Sequence, residues 1–543
     1  MKSLKYIAFA FAAALSFQSC DLERYPLTDL SEENFWNDEQ NAQYALTYLY
    51  RNSITVNSEE YNPSDIWSYH GMLLMEHLTD NAYDRRGENN AFFQITSGKL
   101  MPSNAFIKRY WVTAYQRISN CNRFIEGLSG ATESASNRRM MAEARTLRAA
   151  MYHYLASYFY DVPLVTTVIS GEEANNVKKE TRENILRFCA TELEAAAKDL
   201  PTASQLAAAE GGRLTRQAAL AFLGRVKMLQ QDWQGGADVY KQIIDLGENA
   251  VHPSYSELFL PGTGVSNKEN IFYIEYIENY FGMALPHLLS AKDGGWSLSN
   301  PSAGLFEAYE FSDGTPFSYD DPRYNPHNLG ENRDPRLDYT IYYNGAIFKG
   351  TEYKISPDGQ NKERLDYGTE SSRTGYMFRK YFTEDPVTNI SSNNMVTPVL
   401  RYSEVLLSYL ECLIEAGKPI DKTTLDLTIN AVRGRADVHM PAITETSADK
   451  LREILRHERR IELAYEGVRL WDIFRWKIAD QVLVGEIWGA PYPDSELYAT
   501  STKHVDPTGH CRWYVGRRDF RAPQDYRWPV PESEQNINPN LRD

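Results

Sequence analysis

The sequence predicts a mostly α protein built on a scaffold of helical pairs, from which long loop-rich, partly β excursions project. Apolar residues recur at helical spacing over about 40–247 and 397–478, as they do in amphipathic helices. Between these regions, about 251–396 loses the helical spacing and is rich in turn-forming Gly, Pro, Asn and Asp. The excursions are therefore expected to differ in architecture from the scaffold.

The first helices are predicted over 41–54 and 105–128. A stronger amphipathic helix follows over 134–160, where apolar residues lie at i, i+4, i+7, i+8 and i+11 from Leu147. A shorter helix over 181–200 begins at a threonine that is a suitable cap. We expect the last two helices to pack as an antiparallel pair.

A second pair is predicted over 212–247, where Ala218 and Gly224 are small enough for two helices to approach closely. Its length of about 34 residues resembles that of a tetratricopeptide repeat. Residues 401–416 and 423–433 form a further predicted pair. Several such pairs indicate a tetratricopeptide-like, solenoid scaffold, because each pair buries its apolar face only against its neighbours.

Two excursions interrupt this scaffold. The connection over 58–104 is far longer than the ~15 residues of an ordinary loop and is rich in Tyr, Trp, Asn and Asp. The segment over about 251–396 is mostly loop. Its β-branched and aromatic runs predict strands at 271–277, 337–343 and 376–382. After the scaffold, 479–543 is predicted to be a Pro- and Trp-rich wrap.

The most charged helical stretch is 451–476, which is predicted to be one core helix with ions in it. Its carboxylates lie three residues from arginines, where helical side chains are neighbours. The pairs are Arg459 with Glu462, Glu466 with Arg469, and Asp472 with both Arg469 and Arg475. Nearby arginines lower the pKa of a carboxyl group, whereas a general acid needs a raised pKa. The stretch is therefore interpreted as structural.

One part of this stretch is ERRIELAYEGVRLWDIFRW. It resembles the C-terminal signature of the SusD/RagB-like outer-membrane nutrient-binding lipoproteins. Further stretches resemble the same family in the same order: DLERYPLTDLSEENFWNDEQNAQYALTYLY, EARTLRAAMYHYLASYFYDVPLV, DPRL, RYSEVLLSYLECLIEAG, INAVRGRAD and WPVPESEQNINPNL. Together they span nearly the whole mature chain. The resemblance implies a single SusD-like domain over 20–543.

This resemblance implies a non-catalytic cell-surface protein that binds oligosaccharide or glycan and passes it to a TonB-dependent, SusC-like outer-membrane transporter. A RagB-like peptide-binding subunit shares the same signatures and stays an alternative, as does a glycan-degrading enzyme. The residues give little support for catalysis, since no GxSxG motif is present and the HERRI run at His457 lacks the second histidine of HExxH. No cofactor is expected.

Charge and cysteine spacing exclude further classes of function. A net charge of −16 argues against nucleic acid as a partner. The cysteines form no CxxC pair, so a metal cluster is not indicated. Cys121, Cys189, Cys412 and Cys511 could form disulfides with three possible connectivities. The acidic run SDGTPFSYDDPR does not follow a known calcium-loop spacing, so no metal site is predicted.

The first residues, MKSLKYIAFAFAAALSFQSC, have a basic start and an apolar run, with a small residue just before Cys20. They are interpreted as a secretory signal peptide over 1–19, since the run is shorter than the ~20 residues of a membrane-spanning helix. Cys20 is the predicted lipidation site. Phe17 and Gln18 depart from the usual lipobox, which leaves cleavage without lipidation as the alternative. The resemblance favours a lipid anchor in the outer membrane.

The ligand-binding surface is predicted on the two excursions. Trp67, Tyr83 and Trp296 lie there outside the strong helical patterns and beside polar residues. An exposed aromatic ring can cover the apolar face of a sugar ring while polar neighbours bond its hydroxyls. The predicted polar contacts are Asn81, Asp84, Arg85 and Asp293. The alternative is that Trp67 and Trp296 cap the core beneath their loops.

Cys20→Ala removes the predicted acceptor of the lipid. We expect this variant to leave the membrane fraction or to accumulate as an unprocessed precursor, whereas the wild type incorporates labelled fatty acid and Cys511→Ala behaves like the wild type. Metabolic labelling of cells followed by fractionation measures both properties. Wild-type protein that carries no fatty acid would contradict the prediction.

Overall fold

The computed structural model describes residues 32–51, 66–68, 71–264, 266–280, 282–283, 285–348, 350–355, 365, 371–382, 390–491 and 505–542. The predicted leader and Cys20 lie outside the described residues. Within those ranges, no helix is both long enough and apolar enough to cross a membrane.

The protein is mostly helical, as predicted, and its strands are short. The helices are α1 Glu32–Asn37, α2 Glu39–Arg51, α3 Ala91–Ile95, α4 Ala105–Ser129, α5 Ala135–Tyr158, α6 Gly171–Ala174, α7 Arg182–Asp199, α8 Arg216–Leu229, α9 Trp233–Leu246, α10 Ala303–Ala308, α11 Arg336–Thr340, α12 Tyr402–Glu415, α13 Lys422–Leu427, α14 Ile429–Arg433, α15 Ala448–Glu462, α16 Arg469–Arg475, α17 Ala479–Val482 and α18 Glu532–Ile537.

The strands pair in antiparallel twos. They are β1 Ala82–Asp84 with β3 Ser299–Pro301, β2 Asn270–Glu275 with β8 Val396–Arg401, β4 Ile341–Tyr342 with β7 Met377–Phe378, β5 Ile347–Phe348 with β6 Thr351–Glu352, and β9 Val484–Pro491 with β10 Arg512–Asp519. Each pair forms a separate two-stranded sheet, and none belongs to a larger sheet within the described residues.

The long helices pack in a row in the order α4, α5, α7, α8, α9, α12 and α15. The predicted helical pairs are thus confirmed for α5 with α7 and for α8 with α9. A Cβ atom on Gly224 would lie 2.3 Å from the Tyr240 ring, so only glycine lets α8 and α9 approach this closely. Because α12 packs against α9, the second excursion is inserted into a continuous row of helices.

Polar residues begin these helices. The side chain of Asn104 accepts hydrogen bonds from the amides of Phe106 and Ile107 at the start of α4. The Thr181 hydroxyl accepts one from the amide of Asn184 at the start of α7. Each cap satisfies backbone donors that have no partner within the first helical turn.

Three local predictions were wrong. The stretch 451–476 forms two helices, α15 and α16, because Tyr465 and Gly467 between them have φ values of 62° and 73°, which a helix cannot contain. The strand predicted over 337–343 is largely helix α11, and only its end pairs as β4. The tail predicted to be an irregular wrap contains the β9–β10 hairpin. Aromatic and β-branched residues in these segments meet partners that are distant in sequence, which local patterns cannot reveal.

Trp528 attaches the C-terminal segment to the scaffold. Its side chain is fully buried and stacks on Tyr158 of α5, with ring centroids 4.6 Å apart. Its backbone amide also donates to the carbonyl oxygen of Tyr158 at 2.8 Å. This segment is therefore part of the packed core.

The charged side chains of α15 and α16 are buried, but most of their partners lie on other elements. Glu462 accepts hydrogen bonds from Arg336 at 2.9 Å and from Arg401 and Arg435 at 2.7 Å each. Burial alone would raise the pKa of Glu462, yet these three guanidinium charges lower it well below its ordinary value. The structural interpretation holds, and the predicted pair of Asp472 with Arg475 is confirmed. The predicted pairs Arg459 with Glu462, Glu466 with Arg469 and Asp472 with Arg469 were wrong, since Arg459 pairs with Asp472 and Arg469 pairs with Asp80.

Glu76 joins the first excursion to the break between α15 and α16. Its carboxylate accepts hydrogen bonds from the Tyr465 amide at 2.6 Å, the Thr79 hydroxyl at 3.0 Å and the Asn81 amide group at 3.1 Å. Burial nevertheless raises its pKa to about 7, because removal from water disfavours the charged form more than these bonds favour it.

Asp472→Ala tests the buried ion pairs. Asp472 accepts hydrogen bonds from Arg459 at 3.0 Å and pairs with Arg475 at 2.8 Å. Removing the carboxylate leaves two buried guanidinium groups with only one carboxylate, Glu411, to share, which we expect to cost on the order of 3 kcal/mol of unfolding free energy. Asp449→Ala is the control, since that side chain is 96% exposed and should cost less than about 1 kcal/mol. Equal melting temperatures for Asp472→Ala and the wild type in thermal unfolding would contradict this assignment.

Glu76→Gln tests the pH dependence of folding. The Glu76 carboxyl ionises near pH 7 in the folded state but near 4.5 once unfolded, so its contribution to stability falls as the pH rises between these values. The stability of Glu76→Gln relative to the wild type should therefore increase from pH 5 to pH 8, by up to about 3 kcal/mol. Urea denaturation across this pH range measures the difference. A constant difference would show that the carboxyl pKa is not raised.

Candidate functional site

Trp67 lies in the core, so the prediction that its ring is exposed was wrong. Its side chain is 1% exposed, and its indole N–H donates to the hydroxyl of Tyr154 at 3.1 Å. The Arg117 guanidinium lies 4.5 Å from the centre of the ring, and Phe272 packs edge-to-face at 5.1 Å. No face of the ring is left for a ligand. Trp67 therefore fits the alternative interpretation, in which it caps the core beneath its loop.

Tyr83 and Asn81 are also buried, contrary to their predicted role as surface contacts. Tyr83 is 3% exposed, because β1 is paired with β3 on one side and lies beneath β10. A Cβ atom on Gly516 of β10 would lie 3.7 Å from the Tyr83 hydroxyl. The Asn81 side chain is fully buried and accepts a hydrogen bond from Arg460 at 2.8 Å. Both residues therefore lie beneath the protein surface and cannot contact a ligand directly.

Asp84 is buried as well and fixes two neighbouring side chains. It accepts hydrogen bonds from Nε and Nη2 of Arg86 at 2.9 and 2.6 Å, and lies 3.3 Å from Nδ1 of His77. Burial would raise the pKa of Asp84, but the hydrogen bonds from Arg86 and His77 lower it well below its ordinary value. A carboxylate held ionised in this way orients Arg86 and is a poor general acid.

Trp296 is the predicted aromatic contact that reaches the surface. Its side chain is 44% exposed, and the ring stands edge-to-face on His287 with centroids 4.7 Å apart. The backbone fixes this position, since the Trp296 amide donates to the Pro286 carbonyl and the Leu298 amide donates to the His287 carbonyl. One part of the indole is thus held by the protein while the remainder faces solvent.

Arg85 and Asp293 lie in the same neighbourhood and are partly exposed. The Arg85 amide donates to the carbonyl of Leu298 at 3.0 Å, which places Arg85 opposite a residue two positions after Trp296. Asp293 accepts a hydrogen bond from the Ser290 hydroxyl at 2.9 Å. We call Trp296, His287, Asp293, Arg85 and Arg86 the Trp296 surface.

A cavity of about 260 Å³ adjoins this surface. Its lining includes His287, Arg86 and Arg109, with Asn90, Phe92 and Phe106 on the wall formed by α3 and α4. Burial lowers the pKa of His287 to about 4, and the charge of Arg86 acts in the same direction. At neutral pH the ring is therefore uncharged and can both donate and accept a hydrogen bond.

Sequence reasoning missed His287, Arg86 and Arg109. Arg86 directly follows Arg85, which was predicted to contact the ligand, so this position in the sequence could have identified Arg86 as a further contact. His287 precedes two leucines in an irregular loop, and Arg109 lies within a helix whose sequence pattern predicts scaffold. Neither position suggests a binding residue. The pairing of β1 with β3 brings Arg86 and His287 together, and the packing of α3 against α4 and β1 adds Arg109. Local sequence shows none of these long-range contacts.

Neither a metal site nor a disulfide is formed by the described residues. No group of three or more His, Cys, Asp or Glu side chains within them is arranged to hold a metal ion. Cys121, Cys189 and Cys412 are buried free thiols, and Cys511 is an exposed one. The three buried cysteines pack in the core as small apolar side chains.

Comparisons with known proteins agree with one another. The model of the SusD family matches residues 266–543, and a second family model, described as starch-binding and associating with the outer membrane, matches residues 29–228. A SusD-like protein of Formosa agariphila is 26% identical, and the match covers 100% of this chain and 98% of that protein.

Solved structures give the same picture. A SusD-like carbohydrate-binding protein of Bacteroides fragilis is 64% identical, with a TM-score of 0.91, over 94% of this chain and 100% of that chain. A surface glycan-binding protein A of Bacteroides thetaiotaomicron shares the fold, with a TM-score of 0.66 and 21% identity, over 92% of this chain and 98% of that one. Since the SusD model alone matches more than half of the sequence, this chain belongs to the SusD family.

Proposed function

We propose that this protein is a non-catalytic glycan-binding lipoprotein of the outer-membrane surface, which passes oligosaccharide to a TonB-dependent, SusC-like transporter. The observation that carries the proposal is the exposed indole of Trp296 beside a cavity lined by Arg86, Arg109 and His287. Relatives named as carbohydrate- or glycan-binding proteins support the ligand class. The family description that mentions the outer membrane supports the location.

The chemistry of the Trp296 surface suits a saccharide. The exposed indole offers an apolar face to the C–H groups of a pyranose ring. Arg85, Arg86, neutral His287 and Asp293 surround it with hydrogen-bond donors and acceptors for ring hydroxyls. A mostly apolar platform with a few fixed polar groups is the usual composition of a small-molecule site.

The site is also held rigidly before the ligand arrives. The β1–β3 pairing joins the two excursions through Tyr83 and Asn300, and the Asn300 side chain accepts a hydrogen bond from the Arg373 amide at 2.8 Å. Asp84 fixes Arg86 through two hydrogen bonds. Binding to such a surface costs little conformational entropy, because the contacting groups are already ordered.

Trp296→Ala tests the proposed contact. If the indole is a central contact, its removal should weaken oligosaccharide binding by about 2 kcal/mol, roughly thirtyfold, while the melting temperature stays nearly unchanged because the side chain is half exposed. Isothermal titration calorimetry with oligosaccharides and thermal unfolding measure the two effects.

Trp67→Ala is the matched control for this variant. Because Trp67 is buried, its truncation should cost about 3–5 kcal/mol of stability and should leave the affinity of the folded fraction unchanged. Full affinity in a folded Trp296→Ala variant would remove the proposed site.

A further inference from the structure

We propose that a second groove, between the β9–β10 hairpin and α10, binds another neutral sugar unit of the same glycan. This inference rests on the proposed function. The groove, here called the hairpin groove, has a volume of about 280 Å³, close to the lower limit of about 300 Å³ for small-molecule pockets. Its lining includes Trp488, Arg460, Glu307, Gly304 and Arg512.

Trp488 supplies an aromatic platform in this groove. Its ring packs edge-to-face against Tyr514 of β10, with centroids 5.6 Å apart, and the Arg512 guanidinium lies 5.6 Å from the ring centre. The side chain is only partly buried. Among the residues that the structure describes, the Trp488 indole N–H has no hydrogen-bond partner, so both a ring surface and a donor are available to a ligand.

Arg460 and Glu307 add complementary hydrogen-bonding atoms. Arg460 uses Nε to donate to Asn81 at 2.8 Å and Nη2 to pair with Asp80 at 3.1 Å, whereas its Nη1 has no partner within the described part of the chain. Glu307 uses Oε1 to accept from the Tyr319 hydroxyl at 3.0 Å and from Arg512. In the same described ranges its Oε2 accepts no hydrogen bond. A sugar hydroxyl can accept from Arg460 and donate to Glu307.

Gly304 keeps the groove open beside Arg460. A Cβ atom at this position would lie 3.4 Å from Nη2 of Arg460 and 3.5 Å from the Asp80 carbonyl oxygen. A larger side chain would therefore occupy the space in front of the guanidinium. With glycine at this position, the space beside the Arg460 side chain stays open.

The charges of the lining indicate an uncharged ligand. The described residues around the groove include three arginines and three carboxylates: Arg460, Arg512, Arg518, Asp80, Glu307 and Glu486. Arg460 pairs with Asp80 and Arg512 pairs with Glu307, so neither sign is in excess. A ligand with a net charge would lose hydration without a surplus of opposite charge to replace it, whereas a neutral polyhydroxyl ring would not.

The hairpin groove and the Trp296 surface both adjoin the short strand β1. Ala82 of β1 lines the groove, and Asp84 of β1 holds Arg86 of the Trp296 surface. Two residues of extended strand separate these positions by about 7 Å. A glycan chain that contacts both places binds more tightly than at either alone, because its second contact is intramolecular.

Fluorine NMR of protein labelled with fluorotryptophan tests the inference. Trp296→Phe and Trp488→Phe assign the two resonances, and the protein is titrated with starch, laminarin, xylan and mannan oligosaccharides and with an oligogalacturonate. We expect the neutral oligosaccharide that shifts the Trp296 resonance also to shift the Trp488 resonance. Trp488→Ala should weaken its binding by about tenfold, while Trp233→Ala, on scaffold helix α9, should leave the affinity unchanged.

The outcomes separate this inference from the proposed function. If neutral sugars shift Trp296 but never Trp488, the hairpin groove is not a sugar site and the proposed function stands. If no saccharide shifts either resonance, both proposals fail. A Trp488 resonance that responds only to the oligogalacturonate would overturn the assignment to a neutral sugar.

Discussion

The fold depends on a cluster of buried ion pairs around Glu462. This carboxylate binds Arg336 in α11, Arg401 at the end of β8 and Arg435 after α14. Glu269, just before β2, binds Arg401 and Arg435 in turn. Removing one charge from water costs several kcal/mol, and only close pairing offsets that cost. The cluster therefore stabilises one arrangement of the chain, in which both ends of the second excursion are attached to α15.

This constraint explains how loop-rich segments can hold the proposed binding surface in one position. The insertion between α9 and α12 is attached at its start by Glu269, in its middle by Arg336 and at its end by Arg401. The first excursion is attached separately, since Asp80 pairs with Arg460 and Arg469 and Glu76 binds the Tyr465 amide. Both excursions thus meet on the α15–α16 region, where β1 and β3 pair. The Trp296 surface and the hairpin groove lie at this junction.

Local sequence predicted much of the scaffold and little of the site. The helical spacing around Leu147 depends on contacts within one helix, and small residues such as Gly224 act within one helical pair. The row of helices was therefore predictable from local sequence. Burial of Trp67 and Tyr83 depends on Arg117, Tyr154 and β10, which are distant in the sequence. Trp296 and Trp67 look alike in the sequence, and only tertiary packing distinguishes an exposed ring from a core ring. His287 and Arg109 were missed for the same reason.

The proposed function requires that the protein bind glycan without cleaving it. The most direct measurement is calorimetric titration of the wild type with pools of oligosaccharides and of peptides, followed by analysis of the recovered ligands for cleavage. We expect saturable heat with an oligosaccharide pool, none with peptides, and recovery of the sugars at their original length. Saturable binding of peptides alone, or shortened sugars after incubation, would contradict it.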